Sequence, residues 1–84
     1  MRNDIITTLY GKLLILKNVY DYDGPITLQY LPIGGIQAIF DNAMIINSRY
    51  GFIATEEVVY DGIRYTIRKF KKKFPNLVNL VLPI

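Results

Sequence analysis

The stretch of the sequence with the most charge and aromatic character is IRYTIRKFKKKF, residues 63–74. It holds six of the ten basic residues of the chain and no acidic residue. Cations neutralise phosphates and exposed aromatic rings stack on bases, so this pattern is typical of a nucleic-acid contact. It also suits an acidic protein partner, or a solvated strand edge that lysines protect from aggregation. The predicted contact residues are Arg64, Arg68, Lys69, Phe70, Lys71, Lys72, Lys73 and Phe74.

Other patterns that could support catalysis or metal binding are incomplete. The chain has no histidine and no cysteine, which removes the commonest general base, the commonest metal ligand and all thiolate chemistry. Asp21 and Asp23 resemble the opening of a calcium loop, but prolines stand at two later ligand positions, and we interpret the segment as a turn. Glu56 and Glu57 are adjacent and would point to opposite faces of a strand. We therefore predict no enzyme, no metal, no cofactor and no small-molecule substrate.

Apolar residues make up 51% of the 84 positions, which is high for a chain that we expect to form one small domain, 1–84. Two segments, Leu13–Leu16 and Leu77–Leu82, are predicted strands with two apolar faces, and such strands need cover on both sides. An apolar strand near a terminus is suited to pair with the sheet edge of a neighbour.

This surplus of apolar surface predicts a non-catalytic assembly subunit. It would form homo-oligomers or dock onto other protein subunits, with Leu80, Leu82 and Ile84 at the interface. The alternative is a small nucleic-acid-binding β-domain that uses residues 64–74.

The composition and the spacing of turns favour β-structure. Thirteen isoleucines and seven tyrosines stand against three alanines and two glutamates. Short apolar runs separated by turn residues predict a small barrel or sandwich of about seven to eight short strands. The predicted strands are Asp4–Leu9, Lys12–Tyr20, Ile26–Leu31, Ile36–Phe40, Ala43–Asn47, Phe52–Tyr60, Ile63–Phe70 and Leu77–Leu82.

Residues 55–74 admit two interpretations. Asp61-Gly62 lies between two runs of β-branched and aromatic residues, which predicts a hairpin with a type I′ turn. The alternative is a helix beginning at Thr55, which would make the fold α+β. Its apolar face would consist of Val59, Ile63, Ile67, Phe70 and Phe74. Gly62 inside that helix would cost about 1 kcal/mol relative to alanine, so we favour the hairpin.

The sequence also bears on location. The aliphatic run Leu13–Leu16 is too short for a secretory signal, and no stretch approaches the roughly 20 apolar residues that span a bilayer. The bias toward isoleucine, asparagine, lysine and tyrosine is typical of AT-rich coding sequences, such as those of phages and viruses. We expect an intracellular (cytoplasmic) or virion-associated protein with no membrane partner.

Overall fold

The computed structural model describes residues 3–26 and 31–84, and within them it has seven β-strands and one short helix. The strands form one sheet that curls into an open half-barrel, which confirms the predicted mostly β fold. The predicted strand Ile26–Leu31 lies largely outside the described residues. The elements are β1 (Asn3–Leu9), β2 (Lys12–Asp21), β3 (Ile36–Ile39), β4 (Met44–Ser48), β5 (Gly51–Thr55), β6 (Glu57–Tyr60), β7 (Ile63–Thr66) and α1 (Ile67–Lys73).

The central strand is β2, which pairs antiparallel with three neighbours. On one side it pairs with β1. On the other side its residues 14–17 pair with β6, and its residues 20 and 21 pair with β5. The strand therefore belongs to both halves of the curled sheet, which we call sheet A, ordered β1-β2-β6-β7, and sheet B, ordered β3-β4-β5-β2.

The chain bends from sheet A into sheet B at Asn18, whose backbone has a positive φ of 51°. The Asp4 carboxylate accepts the Asn18 N–H at 3.0 Å and the Lys17 ammonium at 2.7 Å. The pairing register of β1 and β2 shifts here, because Lys17 and Asn18 of β2 together lie opposite the single residue Asp4 of β1. The fully buried Thr55 hydroxyl lies 2.7 Å from the Lys17 carbonyl oxygen and 2.9 Å from that of Glu57. It has one proton to donate, and either bond holds the junction of β5 and β6 at this corner.

The predicted strand Phe52–Tyr60 is divided at Glu56, where the chain leaves sheet B and enters sheet A. The hairpin that we favoured for the following residues is present. It joins β6 to β7 through Asp61 and Gly62, whose φ values of 51° and 82° match the two positive angles of a type I′ turn.

The predicted strand Ile63–Phe70 ends at Thr66, and the chain continues as α1. The backbone of Thr66 is extended, and its hydroxyl oxygen accepts the Lys69 N–H at 3.3 Å, so Thr66 caps the helix. The alternative helix from Thr55 does not form, because residues 57–66 are paired in the hairpin.

The predicted strand Leu77–Leu82 is not formed either, and the segment consists of turns with one isolated bridge. Its backbone nevertheless covers the edge of sheet B at β3. The Leu82 N–H donates to the Gly34 carbonyl oxygen, and the Ile36 N–H donates to that of Leu80, both at 2.8 Å. Gly34 has a φ of 95°, and a Cβ there would collide with the Leu82 carbonyl oxygen, so this contact requires glycine.

The hydrophobic core fills the concave side of the curled sheet. It combines side chains from the strands, from α1 and from the C-terminal segment, and α1 lies on this concave side. Its central members are Leu14, Leu16, Ile36, Met44, Ile46, Val58, Tyr60, Ile67, Phe70, Leu77 and Leu82.

We predict that Leu82→Ala lowers the free energy of unfolding by about 2–4 kcal/mol, because it leaves a cavity in the core. Leu82 is 2% exposed. The matched control is Val81→Ala, since Val81 is the neighbouring residue and is exposed. It should cost about 0.5 kcal/mol or less. Urea unfolding of both variants measures the difference, and equal losses would show that the segment does not pack as described.

Candidate interaction surfaces

The convex face of sheet A carries an uncovered apolar patch. Ile6 lies opposite Ile15, and Ile15 lies opposite Val59, so the three side chains form one row across three strands. Leu13, two residues before Ile15, points to the same face. Ile6 is 67% exposed and Leu13 51% exposed, whereas Ile15 and Val59 are partly buried. We call these four residues the convex patch.

Ion pairs surround the convex patch. Lys17 contacts Asp4 at 2.7 Å, Arg64 contacts Glu57 at 3.5 Å, and Lys12 contacts Asp61 at 3.5 Å. Each pair contributes one positive and one negative charge, so the rim is mixed in sign and close to neutral. An apolar centre inside a polar rim is the usual anatomy of a protein–protein interface.

The predicted basic residues occupy two different places. Arg64 lies on β7, at the rim of the convex patch. The others lie on α1, where Ile67 and Phe70 face the core and all five cations are exposed. Lys71 pairs with Asp41 at 3.6 Å. Among the described residues the other four make no ion pair, and they are Arg68, Lys69, Lys72 and Lys73.

The two predicted aromatic contacts are not equivalent. Phe70 is buried in the core, so its ring is not available to a base. Phe74 is partly buried, and its ring lies 5.7 Å from that of Tyr10. Tyr10, in the turn between β1 and β2, is 61% exposed. The exposed ring beside α1 is therefore Tyr10, which the sequence analysis did not select.

Two of the three predicted assembly residues face the concave side of the molecule, and the third lies at the end of the molecule. Leu82 is in the core and Leu80 is partly buried against it. Ile84 lines a cleft of about 680 Å³, together with Ile5, Val19, Ile33 and Ile53. Leu80 and Leu82 thus face the core of the molecule itself, whereas Val78 and Val81 on the same segment are exposed.

Sequence reasoning missed the convex patch because its members come from separate strands. The run Leu13–Leu16 did indicate one strand with two apolar faces, and the structure buries Leu14 and Leu16 while leaving Leu13 exposed. Ile6 and Val59 join the patch only through the pairing register, which no local pattern specifies. Tyr10 was missed for the same reason, since its neighbour Phe74 is distant in sequence.

The chain matches no protein-family model, and no curated protein or solved structure shows significant similarity to it. Within the described part of the chain, no helix is long and apolar enough to cross a membrane. Functional inference therefore depends on the surfaces themselves.

The protonation of Asp4 makes the stability of the corner of β2 depend on pH. Hydrogen bonds from the Lys17 ammonium and then from the Asn18 N–H hold the pKa of the Asp4 carboxyl below its ordinary value of 3.8. A lowered pKa stabilises the fold above the unfolded-state pKa, and that contribution is lost as the pH falls through the folded-state pKa.

We predict that Asp4→Asn is less stable than the parent at neutral pH and loses less stability between about pH 5 and about pH 2. Urea unfolding at several pH values in this range measures how the free energy of unfolding of each protein depends on pH. Asp23→Asn is the control, because Asp23 is exposed and makes no ion pair within the described residues. If the free energy of unfolding of the parent and of Asp4→Asn changed equally with pH, Asp4 would not be the source of the pH dependence.

Proposed function

We propose that this protein is a non-catalytic assembly subunit that self-associates through the convex patch. The observation that carries the proposal is the exposure of Ile6 and Leu13 on the convex face, where they adjoin Ile15 and Val59. Exposed apolar side chains that are contiguous and rimmed by charge mark interaction sites, whereas singly scattered ones do not. A second sheet packed on this face would bury the convex patch as the inner layer of a sandwich.

The mixed charge of the rim favours a second copy of the chain as the occupant. In a two-fold contact the same surface meets itself, so a rim of one sign would repel its partner. Here Lys12, Lys17 and Arg64 are each within 4 Å of a carboxylate. Rotation about a two-fold axis can therefore place cations of one copy beside anions of the other.

The proposal of a non-catalytic role follows from the residues that are present. Without histidine and cysteine, catalysis would depend on carboxylates, tyrosines, lysines or hydroxyls. The described residues include no group of three or more carboxylates placed to hold a metal ion. Glu57 and Asp61 instead pair with cations on the rim of the convex patch.

We predict that the parent chain forms a dimer of twice 9.7 kDa at micromolar concentration and dissociates on dilution. The double variant Ile6→Thr/Leu13→Thr should be monomeric at the same concentrations, because threonine keeps the β-preference and removes apolar contact area. Its monomer should keep its stability to within about 0.5 kcal/mol, since both side chains are on the surface. Light scattering after size-exclusion chromatography gives the mass at each dilution.

The matched control is Ile63→Thr/Val78→Thr. Ile63 is 57% exposed but lies opposite Tyr60, so it belongs to the concave face, and Val78 is exposed on the C-terminal segment. This variant should assemble like the parent. A parent chain that is monomeric throughout the dilution series would overturn the proposal. A chain that does not self-associate but binds a different subunit through Ile6 and Leu13 would also overturn self-association and would assign the convex patch to hetero-assembly.

A further inference from the structure

The exposed surface of α1 carries four cations, Arg68, Lys69, Lys72 and Lys73, and the helix dipole favours the placement of only the last two. At about 100° per residue, Arg68, Lys69 and Lys72 fall on the side opposite Ile67 and Phe70, which face the core, and Lys73 lies on the flank next to Phe70. The three lysines of the last turn lie where the helix dipole favours positive charge. Arg68 and Lys69 lie in the first turn, where the dipole disfavours them and no acidic residue compensates.

An aromatic ring stands beside this charge. Phe74, just after the helix, packs edge-on against the buried rings of Tyr60 and Phe70, with centroids 5.2 Å apart in each case. The Tyr10 ring rests on Phe74 from the solvent side, and the Lys73 ammonium lies 5.5 Å from the Phe74 centroid. The Tyr10 ring therefore contacts Phe74 on one side and is exposed to solvent on the other.

The turn that presents Tyr10 is itself well defined. Tyr10 and Gly11 have φ values of 52° and 76°, the two positive angles of a type I′ turn between β1 and β2. The turn fixes the backbone from which the Tyr10 side chain projects, and the contact with Phe74 restricts the ring on one side. An aromatic ring on such a support loses little conformational entropy when a ligand stacks on it.

We propose that the outer side of α1 together with Tyr10 binds single-stranded nucleic acid. The four cations would neutralise phosphates of one strand, and Tyr10 would stack on an unpaired base. The exposed ring of Tyr10 next to the cations favours this ligand over an acidic protein or a duplex. Asp and Glu side chains carry no aromatic ring on which Tyr10 can stack, and the bases of a duplex are already stacked on one another.

This site is independent of the proposed assembly surface. The helix packs on the concave side of sheet A, through Ile67 and Phe70, whereas the convex patch faces the other way. A dimer formed through the convex patch would carry two such cationic surfaces, directed outward. Loss of nucleic-acid binding and loss of self-association can thus be observed separately.

The experiment is a fluorescence-anisotropy titration of the full chain at two salt concentrations. The probes are a labelled oligo-dT of about 15 nucleotides, the matching oligo-rU, a duplex of the same length and a labelled polyglutamate peptide. We expect both single strands to bind, the duplex to bind more weakly, and polyglutamate to bind weakly or not at all. The logarithm of single-strand affinity should fall with the logarithm of salt concentration by about 0.7 per phosphate neutralised.

Charge variants test the phosphate contacts. The triple variant Arg68→Gln/Lys69→Gln/Lys72→Gln should flatten the salt slope by about 2, because three phosphates lose their cation. Arg49→Gln is the control for loss of a positive charge. Arg49 is exposed in the turn after β4, at the end of that strand opposite to Asp41 and α1, and its replacement should leave the slope unchanged.

Ring variants test the base contact. Tyr10→Asn should weaken single-strand binding by about tenfold and leave duplex binding unchanged, since a stacked base contributes in that range. Asparagine tolerates the positive φ of this position, so the turn is preserved. Tyr10→Phe should bind like the parent, and Tyr50→Asn is the matched control, because Tyr50 is exposed in the turn that also holds Arg49.

Three results would overturn the proposal. Tight polyglutamate binding that Tyr10→Asn does not affect would assign the surface to an acidic protein. Duplex and single-strand binding of equal strength, with no effect of Tyr10→Asn, would show that the surface attracts phosphates only and makes no contact with bases. Absence of binding at low salt, where even non-specific attraction is measurable, would leave the cations as a solvated surface.

Discussion

The whole fold depends on one strand, β2, being shared by both halves of the curled sheet. The strand changes partner between Lys17 and Tyr20. Three features stabilise this change: the positive φ of Asn18, the hydrogen bond from the Asn18 N–H to the Asp4 carboxylate, and the hydrogen bond of the buried Thr55 hydroxyl. A bulge such as the one at Lys17 and Asn18 bends its strand and increases the local twist, and β5 and β6 follow β2 through the bend in one unbroken register. The bend produces the concave side in which the core forms, and the convex side that stays open.

A curled single sheet has only one side that the chain itself can cover. The helix and the segment 77–82 fill the concave side, so 84 residues suffice for a core of eleven or more fully packed apolar side chains. Among residues 3–26 and 31–84, no element covers the convex side of sheet A, where Ile6 and Leu13 face solvent. The high apolar content of the chain is thus divided between the buried core and the exposed convex patch, and an assembly partner would bind at the convex patch.

Local patterns predicted the fold class and most strand positions, because turn residues and β-branched runs act over a few neighbours. The Asp61-Gly62 hairpin was predicted correctly for that reason. The helix was not, since the competition at Thr66 between extending β7 and capping α1 is decided by packing of Phe70 against Tyr60 and Tyr65. The surfaces were predicted only in part: the cations of α1 are visible in the sequence, whereas Tyr10 and the convex patch arise from contacts between distant residues.

The contact between Gly34 and Leu82 has a consequence for partial unfolding. Residues 77–82 follow all strands and the helix of the described chain, and they are held by Leu77 and Leu82 in the core and by backbone hydrogen bonds to Gly34 and Ile36. Opening of this segment alone would leave the β3 edge without cover and the apolar interior open at one end. A locally opened molecule would therefore expose an unpaired strand edge and part of its core at the same time, a combination that favours aggregation.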